Sequence, residues 1–381
     1  MLITPSAEQQ AMLDAFERLL DREVRPLAAS LGEHPPSKTQ AMALLRALAD
    51  FGVGKLFTPA EHGGQGADNV TTGLLIEALC RADGGLGGLA SIQDGTTGLF
   101  ARLAAPALRD RYLPRLLAGE LSICMAITEP EVGSNPRDVR TRARRDGDQI
   151  VLSGEKVWIS NSDISDLAII VCKLEGAPGL ALILADREES GYTTTNFKKL
   201  GLSHWPTGSI SLADVRVPAQ NVLSAGGAGL ELTLRAFERA RCFVGIISLG
   251  VAQAAFERAV AYAKERQQWG KPIGAHQSVQ IKIAEMAVEI DAARLLVYRG
   301  LALLDQGERC DTQTAMAKLY ASEMGARVAS RAMEVMGAYG LSEDDPMPRL
   351  FRDARVMTVP DGTSDIQRLL IAKNITGLSA Y

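Results

Sequence analysis

Apolar residues recur at every third or fourth position from Ser6 to about Ala118, which is the spacing of helices that bury one face. Breaks at 58–64 and 84–88, both containing glycine, divide this region. The pattern predicts an all-helical first segment. Two of its apolar stripes are Met12, Phe16, Leu19 and Leu20, and Met42, Leu45, Leu48 and Phe51.

The pattern changes near Leu121 to short apolar runs separated by glycine and aspartate. Short runs rich in β-branched residues and bounded by turn residues are typical of strands. Turn signals at 146–148 and 177–179 favour a small antiparallel barrel or sandwich. The predicted strands include residues 150–152, 157–159, 167–171 and 180–184.

Long helical stretches with few breaking residues follow Gly226, and their lengths are typical of a helix bundle. The sequence has no βαβ alternation and no GxGxxG motif after a strand, which argues against a Rossmann architecture. We therefore predict a mostly helical protein with a central β domain, divided into domains 1–121, 122–224 and 225–381. The predicted C-terminal helices cover about 231–266, 276–306, 311–336 and 363–374.

Composition narrows the classes of function. The chain has 381 residues, of which 46% are hydrophobic, and a formal net charge of −4, so it can bury a large core and has no overall positive charge for nucleic acid. Its five cysteines are widely spaced and its histidines lack metal-ligand spacing, which argues against disulfides and a metal site. The N-terminus lacks the apolar core of a secretory signal, and no apolar run approaches the ~20 residues of a membrane span. We expect a cytoplasmic protein with no metal, nucleic-acid or membrane partner.

The C-terminal stretch 352–368 carries the most informative motif. Asp361 and Gly362 form a turn just before the last predicted helix. A helix start offers unpaired N–H groups and a positive dipole end. Asp361 therefore fits three roles: a helix cap, a neighbour of a phosphate site, or a base above a bound carbonyl.

Other segments also combine polar groups with glycine, proline or tryptophan. Segment 125–136 fits either a β-turn or a loop that binds a planar polar ring through open backbone amides. Segment 154–161 fits a core strand with one tryptophan. Glu238 and Arg241 have the i, i+3 spacing of an ion pair on a helix surface. Segment 265–277 fits a helix end followed by a new helix.

In this order, these segments resemble the acyl-CoA dehydrogenases, and the resemblance extends over nearly the whole chain. It rests on MAITEPEVGSNP at 125–136, GEKVWISN at 154–161, ERAR at 238–241, segment 265–277, EVMGA at 334–338 and the C-terminal stretch. The resemblance implies the family's architecture, with an N-terminal helical domain, a middle β-barrel and a C-terminal four-helix bundle. It also implies an oxidoreductase that uses FAD.

The resemblance assigns two groups of residues to FAD. One group would surround the flavin ring and the phosphates of FAD. The other would reach the FAD of a neighbouring subunit or the adenosine end of FAD, which implies a homo-oligomer, a dimer or a tetramer. Glu334 stands where the family usually has Gln. The first group, near the flavin ring and phosphates, is Met125, Ile127, Thr128, Gly133, Ser134, Trp158, Ser160, Thr363 and Asp365. The second group is Arg266, Gln268, Trp269, Gln277, Glu334 and Gly337.

The substrate residues are also implied by the resemblance. Glu238 and Arg241 would meet the pantetheine, and Ser134 would touch the thioester tail. Asp361 would remove the α-proton, and its N–H, next to Gly362, would face the thioester carbonyl. The family usually has Glu at 361, and Asp retracts the carboxylate by about one C–C bond, ~1.5 Å. Another branch of the family carries its base at the position of Ala240, so Asp361 is the candidate base here.

Two further features bear on the substrate. Asp94 lies in the helical segment whose family counterpart walls the acyl pocket, so it is either a helix-end aspartate or a second base for an already unsaturated chain. The arginines near 137–145 are either solvated or bind the phosphates of CoA or an acidic acyl carrier protein. These arginines are Arg137, Arg140, Arg142, Arg144 and Arg145.

We therefore expect an FAD-dependent dehydrogenase that desaturates a short or modified acyl thioester of CoA or acyl carrier protein. A specialised role in biosynthesis, such as polyketide biosynthesis, and an electron-acceptor flavoprotein as partner are part of this expectation. The alternatives are desaturation further along an unsaturated chain, a flavin monooxygenase on the same fold, and a non-catalytic flavoprotein.

Overall fold

The N-terminal region is helical, as the apolar spacing predicts. The computed structural model describes residues 4–380, except for the side chains of 227–231 and 234; the first three residues and Tyr381, which fall in the predicted terminal domains, lie outside the described residues. Ser6 and Ser37 each begin a helix with a reciprocal capping box to the glutamine three positions later. The helices are α1 (Ala7–Leu19), α2 (Arg25–Leu31), α3 (Lys38–Phe51), α4 (Asn69–Ala82), α5 (Gly84–Leu103) and α6 (Pro106–Leu117), with a π-helical turn at Leu20–Val24 between α1 and α2.

The middle region forms an eight-stranded sheet in the order β6-β7-β3-β2-β4-β5-β8, with β1 paired to β4. The prediction that its strands are all antiparallel was wrong, because β1 and β2 both pair with β4 in parallel. Loops rather than tight turns connect these strands, so adjacent turn signals did not reveal the pairing. The strands are β1 (Ile123–Ala126), β2 (Arg142–Asp146), β3 (Gln149–Ser160), β4 (Leu167–Leu174), β5 (Ala181–Asp186), β6 (Thr193–Asn196), β7 (Thr207–Pro218) and β8 (Val222–Ser224), with the short helix α7 (Arg187–Ser190) after β5.

The sheet is buried on both faces around β4. Leu167 and Ile169 pack with α5 and α6, whereas Ala168 and Ile170 pack with β3 and β7 on the other face. This arrangement explains why β4 reads as a continuous apolar run instead of an alternating one.

The C-terminal region is a helix bundle, as predicted, and its core is continuous with that of the N-terminal helices. The predicted helices agree with the observed ones within a few residues, and α11 is an additional helix. These elements are α8 (Gly227–Glu265), a hairpin of β9 (Gln267–Gln268) and β10 (Lys271–Pro272), α9 (Gln277–Asp305), α10 (Asp311–Met336), α11 (Met347–Val356) and α12 (Ser364–Thr376).

One part of α8 departs from the expectation that no apolar run reaches membrane-spanning length. Arg235–Glu265 is long and apolar enough by composition, and 67% of its apolar window is buried inside the protein. Its apolar side chains contact α4, α9 and α10, which is the behaviour of a core helix in a bundle.

The loop before β7 joins the three regions. A Cβ added to Gly88 of α5 would lie 2.2 Å from the Trp205 ring, so only glycine permits this close approach. His204 lies next to Trp205, and its Nδ1 is 2.9 Å from Asp83 at the start of α5. Asp353 of α11 accepts a hydrogen bond from the N–H of Leu202. The same short loop thus contacts both helical regions.

Candidate active site

A cavity of about 820 Å³ opens beside the loop that follows β1. Four of the predicted flavin residues line it: Thr128, Gly133, Ser134 and Trp158. A Cβ added to Gly133 would meet no atom within 4 Å, so the backbone there faces open space. The structure therefore brings together segments 125–136 and 154–161, which are distant in sequence.

Trp158 is held in an unusual backbone conformation at the wall of this cavity. Its φ is +59°, in the left-handed region, and its side chain is 59% exposed. The register of β3 against β7 shifts between Lys156 and Ile159, which indicates a bulge at this position. A bulge can redirect a side chain, and strained residues cluster at functional sites. The indole consequently faces the cavity instead of the core predicted by the strand pattern alone.

A buried ion pair holds the loop over this cavity. Lys156 Nζ lies 2.8 Å from Glu129 Oε1 and also donates to the carbonyl of Ile127 at 2.9 Å. The same carboxylate accepts hydrogen bonds from the N–H groups of Arg140 and Thr141. Burial opposes ionisation of Glu129, but the hydrogen bonds from Lys156 and Thr141 hold its pKa below the usual value. The pair fixes residues 127–129 against β2 and β3.

Three other predicted flavin-ring residues lie next to the cavity loop and not in the cavity wall. Met125 and Ile127 are partly buried and pack against the core beneath β1. Ser160 is half-buried and pairs with Thr207 in the β3–β7 ladder. These three residues border the loop without lining the cavity.

Asp361 occupies a second strained position, in the turn between α11 and α12. It has a φ of +52° and precedes Gly362, whose φ is +89°. Lys318 of α10 donates to the carbonyl oxygens of Thr358 and Gly362 at 3.0 and 2.9 Å. Gln367 Nε2 donates to the carbonyls of Asp361 and Gly362, each at 3.0 Å. Buried groups therefore fix the backbone on both sides of Asp361.

The helix-cap interpretation of Asp361 was wrong. Thr363 is the N-cap of α12, and its hydroxyl accepts a hydrogen bond from the N–H of Ile366 at 3.3 Å. Asp365, in the first turn, is exposed and pairs with Arg368 at 2.8 Å. Among the hydrogen bonds of the described residues, none engages the N–H or the carboxylate of Asp361. Asp361 is therefore free to contact a ligand.

The electrostatic surroundings of Asp361 favour a titratable base. Burial raises the pKa of Asp361 above its usual value, and the positive charges of Lys318 and Arg241 partly oppose this rise. Burial also lowers the pKa of Lys318 to about 8, against the opposing effect of Asp361 and Glu323. A carboxylate with a raised pKa and cations nearby is typical of catalytic sites.

Glu238 and Arg241 do not pair with each other as the helix spacing suggested. Arg241 Nη1 lies 3.2 Å from Asp311, and Glu238 lies 2.9 Å from Arg309 Nε. Burial raises the pKa of Glu238, and Asp311 adds to this rise. The Nε of Arg241 is buried without a hydrogen-bond partner. Ala240 lies between them on α8, so the alternative base position carries no carboxylate.

The residues predicted to reach a neighbouring subunit lie on the exposed surface of the C-terminal helices. Trp269 is 91% exposed, with a φ of +55°, at the tip of the β9–β10 hairpin. Glu334 forms an ion pair with Lys282 of α9, so its negative charge is compensated within the chain. Gly337 ends α10 with a φ of +61°. The other exposed residues of this group are Arg266, Gln268 and Gln277.

Asp94 is not the helix-end aspartate that one interpretation assumed. It lies within α5, almost completely buried. Its Oδ1 accepts a hydrogen bond from the N–H of Phe57 at 3.2 Å, and its Oδ2 lies 3.7 Å from Arg239. Burial raises the pKa of Asp94, and Arg239 opposes that rise. The carboxylate anchors the loop before α4 to α5 and α8.

Sequence reasoning missed several residues of the site. Asn196, the last residue of β6, and the following Phe197 and Lys198 line the cavity. The Phe197 ring contacts Trp158 edge-on, with the ring centroids 5.2 Å apart. Residues 193–198 are mostly polar, so no periodic signal marked them. Lys318 did leave a signal, because it shares a helix face with the buried Thr314 and Ala321. A lysine on an apolar stripe indicates a buried charge with specific partners.

The cavity fits a planar aromatic cofactor. An exposed indole on one wall offers a stacking surface, and the hydroxyls of Thr128 and Ser134 with the open backbone at Gly133 offer polar contacts. These groups can stack on a planar ring such as a flavin and form hydrogen bonds with its polar edge. No group of at least three metal-ligating side chains occurs in the part of the chain that the structure describes.

Three family models match the chain in succession. They are the acyl-CoA dehydrogenase N-terminal domain at residues 6–120, the middle domain at 124–215 and the C-terminal domain at 227–376. Among similar proteins, a probable acyl-CoA dehydrogenase, FadE25, of Mycobacterium tuberculosis (strain ATCC 25618 / H37Rv) is 32% identical over 96% of this chain and 95% of its own length. A cyclohex-1-ene-1-carbonyl-CoA dehydrogenase of Syntrophus aciditrophicus (strain SB) is 32% identical over 97% of this chain and 90% of its own length.

Solved structures agree with these matches. The glutaryl-coenzyme A dehydrogenase complex with glutaryl-CoA superposes with a TM-score of 0.93 and 31% identity, over 99% of this chain and 97% of that one. A glutaryl-CoA dehydrogenase of Mycobacterium smegmatis in complex with FADH2 superposes with a TM-score of 0.92 and 26% identity, over 99% of this chain and 96% of that one. The prolyl acyl carrier protein oxidase AnaB superposes with a TM-score of 0.89 and 26% identity, over 98% of this chain and 100% of that one. The chain therefore belongs to the acyl-CoA dehydrogenase family of FAD-dependent flavoprotein oxidoreductases.

Proposed function

We propose that the protein introduces a carbon–carbon double bond into a short or modified acyl thioester, with Asp361 as the base. One observation carries this proposal: Asp361 is fixed in a left-handed turn, free of capping, with a raised pKa and two cations nearby. Such a group can accept a proton and then release it to solvent after the reaction.

Asp361 supplies two functions in this proposal. Its carboxylate takes the α-proton of the thioester, and its N–H donates to the thioester carbonyl, which stabilises the negative charge as the α-carbon loses its proton. The electron pair of the former C–H bond becomes the new double bond as a hydride leaves the β-carbon. FAD, when bound, supplies the hydride acceptor.

The FAD contacts of this chain are also part of the proposal. Thr128, Gly133, Ser134 and Trp158 would hold the flavin ring at the cavity. The other members of the first group would lie around them: Met125, Ile127, Ser160, Thr363 and Asp365. The exposed group from Arg266 to Gly337 would contact the FAD of a second copy of the chain. The ion pair with Lys282 supports a role for Glu334 here, because it removes the repulsion between a carboxylate and a phosphate.

The carrier of the acyl group is proposed as CoA or an acyl carrier protein. Arg142 and Arg145 are exposed on β2, whereas Arg140 pairs with Glu131 and Arg144 lies 3.8 Å from Asp146. Arg142 and Arg145 have no ion-pair partner among the residues that the structure describes, and such cations suit either the phosphates of CoA or an acidic protein surface. AnaB is a prolyl acyl carrier protein oxidase by its name, which supports a carrier-protein thioester as the substrate. A specialised biosynthetic role, such as polyketide biosynthesis, is part of the same proposal.

Reversing the charge of two arginines on β2 distinguishes CoA from an acyl carrier protein as the carrier of the acyl group. Arg142→Glu and Arg145→Glu should lower kcat/KM for a carrier-protein thioester at least about tenfold and leave the CoA thioester of the same acyl group nearly unchanged. Arg46→Glu, on the exposed face of α3, is the matched control. Equal effects of the β2 changes on both carriers would exclude protein docking at these arginines.

The remaining partners follow from the same reaction. Each turnover leaves two electrons on the enzyme, so an electron-acceptor flavoprotein is the expected partner. A location in the reducing cytoplasm is part of the proposal, and the five buried free thiols support it.

The contacts of Asp94 favour α,β-desaturation over a more distal reaction. Both of its oxygens face partners, the N–H of Phe57 and the guanidinium of Arg239. A second base would need a free carboxylate oxygen directed at the acyl chain.

The function is tested by anaerobic mixing with a panel of CoA and carrier-protein thioesters of graded length. Loss of flavin absorbance identifies the substrate, and Asp361→Asn should abolish that loss while FAD stays bound. If the variant reduces its flavin at the normal rate, Asp361 is not the base. Oxygen consumption with an added flavin reductase, and no bleaching by any thioester, would identify a monooxygenase instead.

A further inference from the structure

Lys318 is a completely buried lysine in the N-terminal third of α10. Burial of an ammonium group costs several kcal/mol unless hydrogen bonds replace its lost water. Its two described hydrogen bonds both go to the turn that carries Asp361, to the carbonyls of Thr358 and Gly362. Both described hydrogen bonds of this buried ammonium group therefore stabilise one turn.

The geometry of the turn explains why it needs such an anchor. Asp361 and Gly362 both have positive φ, a conformation that a non-glycine residue leaves readily when nothing holds it. Gln367, itself buried, holds the carbonyls of Asp361 and Gly362 from the other side. The two side chains together determine where the Cα–Cβ bond of Asp361 points.

We propose that Lys318 is a positioning residue for the α-proton base: its hydrogen bonds to the carbonyls of Thr358 and Gly362 hold the turn of Asp361 in place. The inference rests on the proposed role of Asp361. An aspartate reaches ~1.5 Å less far than a glutamate, so its reach depends on the backbone. A displacement of roughly 1 Å costs on the order of 100-fold in rate.

Several charged groups surround this pair. Arg241 of α8 faces Asp361 and is itself bound to Asp311, and Glu323 of α10 acts on Lys318. Lys318 opposes the burial that raises the pKa of Asp361. Loss of the ammonium group should therefore raise the pKa of Asp361 further, while Arg241, Asp311 and Glu323 remain in every variant.

Two variants separate the charge of Lys318 from its hydrogen bonds. Lys318→Met removes both, and Gln367→Leu removes hydrogen bonds to the same turn without changing any charge. We expect both to slow single-turnover flavin reduction by about 10- to 100-fold. Only Lys318→Met should shift the midpoint of the pH–rate profile to higher pH.

Lys199→Met is the matched control. Lys199 Nζ also donates to two backbone carbonyls, those of Leu202 and Trp205, at 2.7 and 2.6 Å. Burial likewise lowers the pKa of Lys199 to about 8. This variant should lower the melting temperature without moving the pH profile.

A second readout needs neither FAD nor substrate. In the apoprotein, Lys318→Met should lower the melting temperature less when Asp361 is already Asn, because the charge pair is then absent. If Lys318→Met does not fold, Lys318→Gln, which keeps donors but loses the charge, takes its place in both measurements.

The result that overturns the proposal is specific. Lys318 variants with a flavin-reduction rate within about threefold of the wild type and an unmoved pH midpoint would refute it, provided that Asp361→Asn abolishes reduction. Normal reduction in Asp361→Asn would instead refute the assignment of the base, so the two failures are distinguishable.

Discussion

Lys156 and Glu129 form a buried ion pair between β3 and the loop over the cavity, with Nζ and Oε1 2.8 Å apart. The lysine side chain is completely buried and the glutamate nearly so. Because the pair also fixes the carbonyl of Ile127, it connects the strand of Trp158 to the opposite wall of the cavity.

Lys156→Met should therefore weaken both the fold and FAD binding. Removing one partner of a buried pair costs about 3–5 kcal/mol, since the other charge is left uncompensated. We expect a lower melting temperature and at least about a tenfold higher Kd for FAD, measured by titration of the apoprotein. Lys173→Met, the same change at an exposed site of β4, should alter neither. Wild-type FAD affinity in Lys156→Met would show that the pair does not shape the cavity.

Lengthening the proposed base tests whether the backbone has adapted to aspartate. Asp361→Glu extends the carboxylate by ~1.5 Å toward the substrate. Because the turn is fixed by Lys318 and Gln367, we expect the rate of flavin reduction to fall by about 10- to 100-fold. Asp344→Glu, at an exposed position, is the control. A faster Asp361→Glu enzyme would mean that the wild-type carboxylate stands too far from its proton.

Stability should depend on pH through Asp353. Burial raises the pKa of Asp353 to about 7, with a contribution from Asp83 and against the hydrogen bond from Leu202. The folded carboxyl thus holds its proton up to a higher pH than in the unfolded chain, where its pKa is about 3.9. Its contribution to the free energy of unfolding is complete below about pH 4 and is lost as pH rises through about 7, a change on the order of 2–4 kcal/mol.

Asp353→Asn should flatten that decline, because an amide does not titrate and its oxygen can still accept from Leu202. Urea unfolding at several pH values between 4 and 8 measures the effect, with the exposed Asp50→Asn as the control. Burial lowers the pKa of the neighbouring His204, but the hydrogen bond to Asp83 and the charge of that carboxylate outweigh burial and raise the pKa above its usual value. A raised histidine pKa adds a decline of the same sign as pH rises. An Asp353→Asn protein with the full wild-type slope would assign the decline to His204.

The exposed apolar side chains of α9 predict that copies of this chain associate with one another. Ile281, Val288 and Leu295 repeat every seven residues on this helix, and all three are exposed. Large apolar side chains exposed at regular intervals along one helix are typical of an interface between subunits. Val288→Glu should reduce the assembly mass in sedimentation, whereas Ala43→Glu on α3 should not. An unchanged mass would place the interface elsewhere.

Periodic elements were predictable from the sequence, and the relations between them were not. The long C-terminal helices and the apolar run of β4 follow from spacing and burial alone. The parallel pairing of β1 and β2 with β4 depends on connections that carry no periodic signal. Asp361 was identified by its motif, but its release from capping depends on Thr363, two residues later, and this required the geometry. Phe197 follows a polar strand and had no pattern to mark it.

The left-handed conformation of Asp361 has an evolutionary consequence. Glycine at this position would relieve backbone strain of about 1 kcal/mol. One nucleotide change converts an aspartate codon into a glycine codon, so in the proposed mechanism a more stable relative that lacks the base is one mutation away. The proposed reaction therefore gives the strained carboxylate a use that stability alone does not.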